Sequence, residues 1–188
     1  MDPDRELVAE AARGSREAFD TLVRRHQRAI VNLVHAMTGS DADADDLAQE
    51  SFVRAWRSLA TFRSDSTFRT WLHGIAINVI RTHTGRGSRL RRIFGAPAPR
   101  HPDAPDPIER VSVSDGIEEP LAMRQEIDRA LATLPDDMRE ALILRDVQGL
   151  DYKEIAEALG VRLGTIESRI FRARQRLRPL LQTLRDRR

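Results

Sequence analysis

Residues 95–107 read GAPAPRHPDAPDP and hold five of the chain's nine prolines. A proline fixes φ and lacks the N–H that a helix or a central strand needs, so no regular element crosses this stretch. Gly85 and Gly87 precede it, and Gly116 and Pro120 follow it. The 188 residues are thereby cut into two short pieces, each long enough for one small core. The expected organisation is a first domain over 1–87, an extended linker over 88–117 and a second domain over 118–188.

Neither piece shows the β-branched alternation between turns that strands require. Both show helical spacing. Gly14 stops a short helix near 4–13. Ser15 caps a second, whose stripe Phe19, Leu22, Val23, Ile30, Val31, Leu33, Val34 and Met37 ends at Gly39. Asp41 or Asp43 starts a third, through Leu47, Phe52, Val53 and Trp56, and Ser64 or Ser66 a fourth, through Phe68, Leu72, Ile75 and Ile80. After the linker, helices are expected over 119–133 and 136–147. Asp151 and Glu154 have capping-box spacing for a helix that ends at Gly160. A last helix runs from about 163 into the 180s, ended or bent by Pro179 unless that proline opens a new turn. The fold class expected is all-α: two small helical domains joined by a flexible Pro-rich linker, the second with a helix-turn-helix.

Composition removes several function classes. There is no cysteine, so disulfides, thiolate metal sites and cysteine nucleophiles are excluded. No run approaches the roughly 20 apolar residues of a membrane span, so no membrane insertion is expected. MDPDRELVAE shows no secretory signal, which makes the cytoplasm the expected compartment. The five histidines have no metal-ligand spacing, and no phosphate-binding or nucleophile-elbow motif occurs. DADADD at 41–46 imitates a calcium loop, but Asp46 stands where glycine is needed and Phe52 where the bidentate glutamate belongs. No catalytic residue, metal or cofactor is expected, and the chain is not expected to be an enzyme.

Charge is distributed in blocks. Net charge is −3 over residues 1–60, +7 over 61–100, −9 over 101–161 and +7 over 162–188, within a total of +2. Two basic stretches suit a polyanion touched at two places, although solvated helix faces give the same pattern. In the second basic stretch, DYKEIAEALGVRLGTIESRIFR at 151–172 fits a helix-turn-helix: small Ala156 permits a close crossing and Gly160 takes the turn. The following helix carries Arg162, Ser168, Arg169, Arg172, Arg174, Arg176 and Arg178, donors suited to phosphates and guanine edges. A basic amphipathic helix of an ordinary bundle reads alike. In the first basic stretch, Phe62, Phe68 and Trp71 interleave with Arg63, Arg69 and Arg81. That composition suits unpaired bases, while Phe68 and Trp71 also suit a core. Gln49, Glu50, Arg54 and Arg57 beside Phe52 and Trp56 form a mixed surface, fit for a protein partner or for water.

The order DDLAQESFVRAW, FRSDSTFRTWLHGIAIN, Pro-rich linker and LPDDMREALILRDVQGLDYKEIAEALGVRLGTIESRIFRARQRL resembles a bacterial RNA polymerase sigma factor. The two-domain size resembles the extracytoplasmic-function group of the sigma-70 family. The resemblance implies that Asp45, Asp46, Gln49, Glu50, Val53, Arg54, Trp56 and Arg57 dock on the clamp helices of the largest polymerase subunit. It implies a minus-ten reader in which Arg63, Ser64, Asp65, Ser66, Thr67 and Phe68 hold a base flipped from the non-template strand, with Asn78 and Arg81 beside it. It implies a minus-thirty-five reader in which Arg145, Tyr152 and Lys153 position the backbone and Thr165, Glu167, Ser168, Arg169, Phe171 and Arg172 face the groove. Glu167 stands where many relatives carry Arg or Lys; it either accepts from a cytosine amino group or orients a neighbouring arginine. Implied partners are core RNA polymerase, through clamp helices and flap, promoter DNA and an anti-sigma factor. The alternatives are a stand-alone helix-turn-helix transcriptional regulator using the second half alone, and an RNA-binding protein using the 61–83 segment.

Overall fold

The computed structural model describes residues 2–63, 65–87 and 121–186. The expected linker over 88–117 lies outside the described residues, as does Ser64. The described residues form eight α-helices and no strand.

Four helices lie before the linker: α1 (Arg5–Ala12), α2 (Arg16–Thr38), α3 (Asp41–Ser58) and α4 (Phe68–Arg81). Short hydroxyl side chains start three of them. Ser15 accepts from the Ala18 N–H, Ser40 from Asp43 and Thr67 from Thr70. Helix α3 thus starts at Asp41 under a serine cap rather than an aspartate one. Helix α4 starts after Thr67 rather than at Ser64 or Ser66. A 3-10 turn at Leu59–Thr61 leads into the loop before α4, and Thr82–Gly87 prolong α4 as wider π turns.

Four more follow the linker: α5 (Leu121–Ala132), α6 (Asp136–Asp146), α7 (Tyr152–Leu159) and α8 (Leu163–Asp186). The Asp151–Glu154 capping box opens α7, and Gly160 ends it in the left-handed conformation at φ 64. Helix α8 continues through Pro179 instead of ending there. The proline forfeits one bond, to the carbonyl of Gln175 on an exposed turn, where its loss costs least.

Leu22, Ile30, Leu33, Phe68, Leu72, Ile77 and Ile80 are fully buried before the linker, and Ile143, Leu144, Leu150, Ile155 and Ile166 after it. Each such side chain contributes about 1.5–3 kcal/mol when taken from water. The two sets belong to one continuous core, because α4 packs on α7 and α2 on α6. Buried positions nearly encircle α4: Phe68, Thr70, Leu72, His73, Gly74, Ala76, Ile77, Val79 and Ile80. A helix buried all round has neighbours on both sides.

The contact between the halves is close and polar. A Cβ on Gly74 would stand 2.8 Å from the Ala158 carbonyl oxygen, so only glycine permits this approach. Arg81 donates twice to Glu140, at 2.7 and 2.6 Å. The Thr70 hydroxyl donates to Glu154 at 3.2 Å, and the Arg69 guanidinium donates to the Gln148 carbonyl.

Candidate polymerase and promoter interfaces

Helix α3 presents the residues expected to meet polymerase on one outer face. Asp45, Asp46, Glu50 and Arg57 are exposed, and Gln49, Val53 and Arg54 are half-buried. Glu50 and Arg54 pair one turn apart at 2.7 Å. Trp56 sits differently: its ring packs on Phe19 at 4.9 Å, so much of it supports the α2–α3 contact. The face is thus acidic at the start of the helix and basic at its end, with Val53 between.

Loop 62–67 is held at both ends by rings. Phe62 meets Phe68 edge-on at 6.4 Å and Trp71 at 4.9 Å, and Phe68 lies 5.8 Å from Trp71. Phe68 is fully buried and cannot itself stack on a base. It is a pillar beneath the loop. Arg63 and Asp65 are exposed, Ser66 is half-buried, and the Thr67 hydroxyl is occupied as the cap of α4. Asn78 is exposed one face along α4. Arg81 keeps 42% of its side chain exposed, but its Nε and one Nη both donate to Glu140. That bond holds the guanidinium pKa above its ordinary value.

Helices α7 and α8 form the helix-turn-helix. Thr165 is half-buried near the start of α8, and Ser168 turns its hydroxyl back to the Thr165 carbonyl at 2.9 Å. Glu167, Phe171 and Arg172 are exposed on the outer face, with Phe171 at 64%. Arg169 points inward instead, its Nε 3.1 Å from Asp137 on α6. Arg145 lies over the Tyr152 ring at 5.2 Å and donates to the Leu150 carbonyl, which fixes the turn before α7. Lys153 is exposed beside it. Arg174 donates to Asp146 at 2.7 Å, which raises its pKa. Leu142, Tyr152, Ile170, Phe171 and Leu177 line an open, largely apolar groove beside this helix.

Sequence reasoning missed the groups that tie these surfaces together. Asp2, Asp4 and His26 lie behind loop 62–67. Glu140, Gln148 and Glu154 receive α4. Gly74 in mid-helix was the one available signal, since an interior glycine is costly unless something must come close.

Two family models match the chain: "Sigma-70 region 2" over residues 22–90 and "Sigma-70, region 4" over 124–177. Among curated relatives, the RNA polymerase sigma-H factor of Pseudomonas aeruginosa is 37% identical, covering 98% of this chain and 96% of its own. The ECF RNA polymerase sigma-E factor of Salmonella typhimurium is 35% identical, covering 96% and 95%. Among solved structures, CnrH in complex with the cytosolic domain of CnrY superposes with TM-score 0.72 at 30% identity, over 97% of this chain and 99% of that one. The sigma factor RpoE in complex with the anti-sigma factor NepR from Bartonella quintana gives 0.67 at 28%, over 87% and 96%. With both regions matched in order on the two helical halves, the chain belongs to the sigma-70 family of bacterial RNA polymerase sigma factors, in its extracytoplasmic-function group.

Proposed function

We propose that this sigma factor, which directs promoter-specific transcription initiation, divides the task between its two halves. Helix α3 docks on the clamp helices of core polymerase through Asp45, Asp46, Gln49, Glu50, Val53, Arg54 and Arg57. Loop residues Arg63–Thr67 capture an unpaired base of the minus-ten element, with Asn78 beside it, and Phe68 supports them. The outer face of α8, with Glu167, Phe171 and Arg172, enters the duplex groove of the minus-thirty-five element, while Arg145, Tyr152 and Lys153 hold the backbone. The chain carries no catalysis of its own and works in the cytoplasm, where an anti-sigma protein restrains it. The complexes of two structural neighbours, one with a protein named as an anti-sigma factor, support that last point.

One observation carries the reading. The two candidate surfaces sit on different halves: exposed Arg63 beside the half-buried rings of Phe62 and Trp71, suited to an unpaired strand, and exposed Arg172 on the outer face of a helix-turn-helix, suited to duplex. Run-off transcription with purified core polymerase tests it. Initiation from defined positions should require the chain, and a pre-melted bubble should rescue Asn78→Ala more than Arg172→Ala. Tight, specific duplex binding by the chain without polymerase, and no initiation with it, would favour the stand-alone regulator.

A further inference from the structure

We infer that the N-terminal arm, through Asp2 and Asp4, positions the base-holding loop 62–67. The inference rests on the assignment of that loop to the unpaired strand.

The Asp2 carboxylate serves two helices at once. Its Oδ1 accepts from the Asp4 N–H at 3.0 Å, at the start of α1. Its Oδ2 accepts from the Phe68 N–H at 2.8 Å, at the start of α4 and 66 residues away. The first turn of α4 is therefore capped from two sources: Thr67 takes the Thr70 N–H, and Asp2 takes that of Phe68. Asp4, 1% exposed, reaches the same residue by another route. Its Oδ2 lies 2.7 Å from His26 Nε2, and the His26 ring lies 5.5 Å from that of Phe68. Arg25 pairs with Asp4 and also donates to the Pro3 carbonyl at 3.4 Å, closing the arm onto α2. Helix α1 packs in addition on the Leu59–Thr61 turn that leads into the loop.

Both ends of the loop thus lean on the arm. Neither acid lies on the loop itself, and Asp4 is sealed from solvent, so they are positioning residues rather than base contacts. Capture of a base depends on donors and acceptors held within about 0.5 Å of their productive places. A shift of Phe68 at the root of the loop moves the adjoining Ser66 and Thr67 with it. A carboxylate suits the task because it offers two acceptor oxygens, where an asparagine offers one.

The test uses holoenzyme reconstituted from core polymerase and the full chain, wild type or carrying Asp2→Ala or Asp2→Asn. The probes are a single-stranded non-template oligonucleotide selected by wild-type holoenzyme from a randomised pool, the same oligonucleotide with one abasic site at each position, and the matching upstream duplex. Asp2→Ala should bind the single strand about fivefold to tenfold more weakly, the scale of a lost helix cap. The penalty for an abasic site at the captured position should shrink by the same factor. Upstream duplex binding and core affinity should not change, and Asp2→Asn should fall between. Amide exchange at Phe68 should quicken in both variants. Unchanged single-strand affinity and abasic penalties would overturn the inference. So would a loss shared equally by single strand, duplex and core, which would mark general destabilisation. If wild-type holoenzyme shows no abasic penalty anywhere, the loop's base-holding role is wrong and the inference falls with it, a failure visible before any variant is made.

Discussion

His73 is fully buried where the two halves meet, its Nδ1 2.7 Å from the Arg69 carbonyl and its Nε2 3.2 Å from the Gln148 side chain. Burial lowers its pKa below the ordinary 6.5, and the two hydrogen bonds oppose that shift without reversing it. The charges of Arg69 and His26 add to the lowering. At a pH between the two values the unfolded chain takes up a proton while the folded chain stays neutral. Stability is therefore complete above the unfolded pKa and is lost as pH falls through it toward the folded value. The thermal midpoint should drop between about pH 7.5 and about pH 5.5, a window in which carboxylates stay ionised. The drop should be smaller in His73→Gln. Equal slopes in the two proteins would place the pH dependence on other groups.

Helix α8 carries arginines of two kinds, and its helical period separates them. Arg172 is exposed on the outer face, whereas Arg169 keeps 21% of its side chain exposed and faces Asp137. Arg172→Ala should weaken upstream duplex binding by holoenzyme roughly tenfold or more, since a good arginine–guanine pair is worth about 1–3 kcal/mol. Its melting temperature should not move. Arg169→Ala should do the reverse, lowering the melting temperature with little loss of duplex binding. Anisotropy titrations and thermal melts on the same two variants decide it; the opposite pattern would turn the helix around. At this scale the sequence was legible wherever the signal is local. The Ser15 cap, the Asp151–Glu154 box and the left-handed glycines at 39 and 160 depend only on neighbours along the chain. The start of α4 was not legible: Ser64, Ser66 and Thr67 are equivalent as hydroxyls, and the Asp2 contact that completes the cap comes from 66 residues away. Phe68 looked suited to a base as much as to a core until its burial decided the matter. The inward turn of Arg169 needed the position of α6, and no spacing reports that.

The packing of the described helices is at odds with the simultaneous contact at both promoter elements that the proposed function calls for. Elements centred near minus ten and minus thirty-five lie about 25 base pairs apart, or roughly 85 Å along B-form DNA. A compact chain of this length has a radius of gyration of about 16 Å and is roughly 40 Å across. The packed halves cannot span that distance, and Arg81 is committed to Glu140 while they stay packed. If the two halves read the two elements as proposed, promoter engagement requires α4 and α7 to part, which makes their contact a term in the affinity: a chain found only partly in the parted state binds in proportion to that fraction. Gly74 sets how closely the two helices approach, with the Ala158 carbonyl oxygen 2.8 Å from where a Cβ would stand. Gly74→Ala adds that methyl while improving the helix propensity of α4 by about 1 kcal/mol. Helix content by circular dichroism should therefore hold or rise. The radius of gyration from small-angle scattering should exceed the value for the packed chain, and peptides covering residues 69–81 and 148–158 should exchange their amides faster. If the radius and the exchange stay at wild-type values with the helices intact, α7 has shifted to accept the methyl. The contact is then held by Arg81–Glu140 and the buried His73 rather than by close backbone approach at Gly74.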